Sequence, residues 1–97
     1  MEEIKNARIT STFLGPEAHG IPIANITLDY GGSSQGFGGY DLRHRNHAIY
    51  IFDLLKALKI PAWEDLKGTP VRAKIKDDRI VSIGHIIEDS WFTPNIK

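Results

Sequence analysis

A single stretch of this sequence repeats its apolar residues at the spacing of an α-helix, and most of what surrounds it alternates. From Asn46 to Lys59, the residues Ala48, Ile51, Phe52, Leu55 and Leu58 fall on one helical stripe, with Asp53, Lys56 and Lys59 on the wet side. Asn46 is a suitable cap, because a short polar side chain accepts a bond from an open amide of the first turn. Ile60-Pro61 ends the run, since the residue before a proline is pushed out of the helical region.

The flanking segments repeat with a period of two. Between Ile4 and Phe13, Ala7, Ile9 and Phe13 share one face and Arg8, Thr10 and Thr12 the other. Leu14 to Gly20 is rich in turn formers. A second strand is expected from Ile21 to Tyr30, with Ala24, Ile26, Leu28 and Tyr30 opposing Asn25, Thr27 and Asp29. The glycine-rich run Gly31 to Tyr40 reads as a turn and then a short, kinked third strand ending near Leu42, since glycine inside a strand often marks a bulge. Trp63 to Leu66 suggests one short turn. Val71 to Lys76 and Arg79 to Ile87 read as a hairpin about Asp77-Asp78, and the tail from Glu88 reads as irregular. The order is βββαββ. This predicts an α+β fold, an antiparallel sheet of about five strands with one main helix packed on it, in a single domain over residues 1–97.

Composition narrows the function. Twelve basic and twelve acidic residues cancel, so the excess positive charge that duplex nucleic acid selects for is missing. With no cysteine there are no disulfides, thiolate metal sites or thiol nucleophiles. Met-Glu-Glu-Ile-Lys carries no signal-peptide pattern, and no apolar run approaches the roughly 20 residues of a membrane span. A cytoplasmic setting is expected.

The candidate site lies between Gly31 and His47. It is neither a phosphate-binding P-loop, lacking Gly-Lys-Ser/Thr, nor a dinucleotide fingerprint, lacking the strand–turn–helix context. Its sequel crowds Arg43, His44, Arg45 and His47 at the positive pole of the helix, where cations are disfavoured unless an anion sits among them. Phe37 and Tyr40 would offer rings for stacking, and Gly36, Gly38 and Gly39 an open floor. The plainer alternatives are a bulged, tightly packed strand and a solvated basic loop. His44 and His47 alone do not make a metal site, and neither metal nor cofactor is expected. Glu17, His19 and Asp29 could serve acid–base chemistry, although their spacing does not require it. Trp91 and Phe92 either cover the core or form a partner or homo-oligomer interface.

Several runs carry a resemblance: Leu14-Gly15-Pro16-Glu17-Ala18-His19-Gly20, Leu28-Asp29-Tyr30-Gly31-Gly32, Gln35-Gly36-Phe37-Gly38-Gly39-Tyr40, Trp63-Glu64-Asp65-Leu66-Lys67-Gly68, and Ile83-Gly84-His85 with Asp89 and Trp91-Phe92. Over nearly its whole length the chain resembles a group of small phage and prophage proteins. In many of them Asp stands where Ala18 is, and a longer insertion separates Tyr40 from the helix. The chain is more distantly similar to phage anti-defence sponges of the Thoeris anti-defence family, which sequester cyclic ADP-ribose-type signals. That likeness implies binding without turnover in an infected bacterium, and a homo-oligomer with pockets that can lie between subunits. The expectation is therefore a sequestering protein for a small anionic ligand of nucleotide type. The alternatives are a protein-interaction module that inhibits a host enzyme and a hydrolase of a nucleotide signal.

Overall fold

The structure is a computed structural model that describes residues 2–94, with the backbone alone at Gly39 and Tyr40. Three antiparallel strands come first: β1 (Glu2–Pro16), β2 (Pro22–Tyr30) and β3 (Ser33–Asp41). The helix α1 (Arg45–Leu58) follows, then a short 3-10 turn (Trp63–Asp65). The strands β4 (Pro70–Lys76), β5 (Arg79–His85) and β6 (Trp91–Phe92) complete one six-stranded sheet in the order β3-β2-β1-β4-β5-β6. The expected α+β class, antiparallel sheet and lone main helix are what the molecule has, with one strand more than the alternation predicted.

The fourth strand returns to lie beside the first, which is the Greek-key order. The long β1 makes this possible. Its front half pairs with β4, from Glu2 opposite Lys76 to Arg8 opposite Pro70, and its back half pairs with β2, from Arg8 opposite Asp29 to Pro16 opposite Pro22. The register slips between Ile9 and Ser11, so a bulge at Thr10 marks the change of partner. One extra residue inverts every later side chain. Ala7 and Ile9 enter the core as expected, but Phe13 lies opposite Asn25 on the outer face and is 43% exposed.

The core is assembled from the inner face of the sheet, with Ile9, Leu28, Val71, Ala73 and Ile83 at 0% exposure, and from one side of α1. That side carries Leu54, Leu55, Ala57 and Leu58, whereas Phe52, placed inward by the periodicity, is 70% exposed. Apolar residues surround much of this helix, so spacing alone did not fix its rotation; the sheet did. Lys59 ends α1 in the left-handed conformation at φ 57°, two residues before Pro61. The β4–β5 hairpin turns on Asp77 and Asp78, both at positive φ, as a two-residue turn matching the sheet's twist requires.

The sheet curls until its first strand approaches its fifth. The Gln35 amide on β3 donates from Nε2 to the Asp78 carbonyl (2.9 Å), and its Oε1 accepts from the Ile80 amide on β5 (2.7 Å). Past that point Phe37 and Phe92 meet edge to face, their centroids 6.2 Å apart. At the other end of β5 the ring of Trp91 lies over Gly84, where a β-carbon would come within 2.5 Å of Cδ2 and Cε3. The Arg72 guanidinium (4.9 Å) and the Lys74 ammonium (4.5 Å) lie over the ring, and its Nε1 donates to Asp89.

Candidate functional site

Most of the residues that the sequence singled out converge where β3 becomes α1. Asp41 organises the junction. Its Oδ1 accepts from the Arg43 amide, its carbonyl accepts from the His44 amide, and the Leu42 amide donates back to Pro22. The Arg43 guanidinium folds onto the same carboxylate, with Nε at 3.0 and 3.2 Å from its two oxygens and Nη2 at 2.7 Å from Oδ2. Hydrogen bonds from Arg43, side chain first and backbone second, hold the Asp41 carboxyl down at about 2.

Arg43 is thus occupied, and Glu17 of the β1–β2 loop adds further negative potential beside it. It is not the open clamp that its place in the sequence suggested. Arg45 differs: it is exposed and, among the described residues, forms no ion pair. It is the available cation of this corner.

The Asp41 pairing predicts a titration. A carboxyl whose folded pKa is depressed lends stability that is complete above the ordinary value of 3.8 and is lost as pH falls towards 2. Carbon-detected NMR should place the Asp41 midpoint near 2, and Arg43→Ala should move it back towards 3.8. A midpoint unaffected by Arg43→Ala would show that the pair does not exist in solution.

The front of α1 is open to an anion. His44 stands at the N-cap position with φ −84° and ψ 122°, its side chain makes no capping bond, and the first turn holds no acid. The rings of His44 and His47 are 5.1 Å apart, and His47 stacks on Tyr50 at 5.7 Å with an interplanar angle of 23°. His47 Nδ1 also lies 3.1 Å from the Asp41 carbonyl. Residues 44–47 line a shallow surface hollow of about 330 Å³.

Other expected members of the site lie elsewhere. Phe37 is 8% exposed and packs in the core, so it presents no ring to a ligand. The apolar void that it lines with Tyr50, Leu54 and Phe92 measures only about 20 Å³, room for a water at most. Gly36 and Gly38 are exposed on β3. Gly38 is needed locally: with φ at 111°, a β-carbon there would stand 3.0 Å from the Ala24 carbonyl at the β2–β3 register shift. Gly39 and Tyr40 belong to β3 by backbone, and the stacking role given to Tyr40 lies outside the described residues.

The tail aromatics separate. Phe92 is 6% exposed inside this one chain, so it cannot serve as a surface anchor, whereas Trp91 is half-buried on the outer face. The acid–base trio does not assemble. Glu17 accepts from the His19 and Ile21 amides and from the His19 ring, which orders the loop and lowers its pKa, the Ile21 bond contributing most. Asp29 sits opposite Arg8 and Ser34, seven residues along β2 from Pro22, roughly 23 Å at the rise of an extended strand. No group of three or more metal-binding side chains occurs among the described residues, and no helix there is long and apolar enough to cross a membrane.

Sequence reasoning passed over Tyr50 and Gln35. Tyr50 follows His47 by three residues, the spacing that places two side chains on one helical face, so that signal was present. Gln35 carried none, because its bonds to Asp78 and Ile80 reach more than 40 residues along the chain, and only the Tyr30 hydroxyl, five residues back, is a near partner.

No protein-family model, no curated protein and no solved structure matches this chain.

Proposed function

We propose that this chain binds a small anionic ligand of nucleotide type at the front of α1 and holds it without turning it over. The observation that carries the reading is the uncapped start of α1, with no acid in its first turn, flanked by exposed Arg45 and by the His44, His47 and Tyr50 rings. A phosphate placed there would accept from open backbone amides and from a guanidinium. A base could lie along the imidazole and phenol rings, which take the place first given to Phe37. The separation of Asp29 from the Glu17–His19 pair, which spends its bonds on ordering its own loop, favours retention over hydrolysis. A phage-type sponge acting in a bacterial cytoplasm, assembled as a homo-oligomer, is the setting in which such retention is useful, and belongs to the same proposal.

The test is incubation of the purified protein with a nucleotide-rich bacterial extract, followed by washing, heat release and mass spectrometry. A retained anionic compound, recovered unchanged, is the expected result. Arg45→Glu should weaken that retention about tenfold or more by replacing a charge-assisted donor with a repelling carboxylate, and the circular dichroism spectrum should not change. Equal retention by the folded variant would overturn the placement, and recovery of a cleaved product would overturn the absence of turnover.

A further inference from the structure

The connection between β5 and β6 is gathered around one ring nitrogen. His85 ends β5, and its Nδ1 accepts from two backbone amides of the loop that follows, Ile87 at 3.1 Å and Glu88 at 3.0 Å. The His85 amide donates to the Ser90 carbonyl (2.9 Å) and the Ser90 amide to the Glu88 carbonyl (2.8 Å), which closes the loop. What the loop holds is β6. Ser90 Oγ donates to the Ala57 carbonyl in the last turn of α1, and two residues further on Phe92 is buried against the Phe37 and Tyr50 rings.

A backbone amide only donates, so both bonds to Nδ1 need its lone pair. The neutral ring therefore carries its proton on Nε2, which faces the Glu88 carboxylate with Oε2 at 3.7 Å. A second proton can enter only at Nδ1. There it would set donor against donor, and both amides would lose their acceptor.

The charged neighbours do not offset that loss. Arg72 of β4 donates from Nε to the His85 carbonyl and from Nη2 to the Glu88 carbonyl, so a guanidinium already stands in the loop. Glu88 is exposed, and its Oε1 pairs with Lys59 at the end of α1 (3.0 Å), a bond that lowers its pKa. A surface carboxylate already shared in this way attracts an imidazolium only weakly. Asp89 is turned to the Trp91 indole.

We propose that His85 is a proton-sensitive latch: the neutral ring closes residues 86–90 and seats β6, and protonation opens the loop. The open loop binds one proton more than the closed one, so closure is favoured at high pH and lost as pH falls. The latch lies at the opposite end of α1 from the anion corner and does not depend on that reading.

The experiment follows the intact, isotope-labelled chain by NMR from about pH 8 to about pH 5, the window in which imidazoles titrate. At the upper end the His85 ring should show the Nε2–H tautomer. As it takes up its proton, the Ile87 and Glu88 amides and the Trp91 indole proton should shift with the same midpoint. Exchange of the two amides, corrected for the direct effect of pH, should quicken about tenfold or more. His85→Asn places an oxygen that accepts but does not titrate where Nδ1 stands, and should keep the loop closed and abolish the response. His85→Ala should leave the loop open throughout. An Nδ1–H tautomer, a ring still neutral at the lower end, amides indifferent to its proton, or an undiminished response in His85→Asn would each overturn the latch.

Discussion

Gly84→Val should cost the protein about 3 kcal/mol, near the upper end of what overpacking a tight site does. The β-carbon alone would lie 2.5 Å from two atoms of the Trp91 ring and 2.8 Å from a third, and the facing strand prevents the backbone from retreating, because Gly84 pairs with Arg72. The indole must leave its seat. With it go the neighbouring Arg72 and Lys74 charges and the bond to Asp89. Urea denaturation of the single variants and of Gly84→Val in a Trp91→Ala background isolates the cause. Most of the loss should disappear when the ring is already gone. An equal loss in both backgrounds would mean that the strand itself, and not the ring, rejects the side chain.

The second large effect belongs to Ile9. This residue is fully buried beside the bulge at which β1 changes partners, and its amide and carbonyl bond to Thr69 and Gly68 respectively. Ile9→Ala deletes three carbons from a position walled by the sheet and should destabilise by about 3–4 kcal/mol, the transfer loss plus the cavity. Ile9→Val should cost about 1 kcal/mol. Chemical denaturation midpoints that differ by much less would show that the core relaxes into the space. Neither substitution touches the front of α1, so anion retention by the folded fraction should be unchanged.

Where the sequence carried strong periodicity, it carried the fold. Ala24, Ile26 and Leu28 are buried on the face that alternation assigned them. Gly38 sits beside the β2–β3 irregularity, as a glycine-marked kink should. The failures share a physical origin. Phe13 was assigned to the wrong face because a bulge costs one residue and leaves no trace in composition. Phe52 was assigned inward because a helix apolar on most sides does not state its own rotation. β6 escaped notice because two residues have no period. At the candidate site, the crowding of cations about the helix start was legible, but the cancellation of Arg43 by Asp41 was not. A charge two residues away either pairs or splays, and backbone geometry decides which.

The divided loyalty of β1 also sets an order on assembly. Its back half meets β2 across a short loop, so the β1–β2–β3 meander can close as soon as residue 41 has been made. Its front half finds no partner until residues 70–76 exist. A nascent chain must therefore hold residues 2–8 as an unzipped strand edge while the helix is still being synthesised, and an exposed edge of that kind is where such an intermediate is most open to aggregation or to a chaperone.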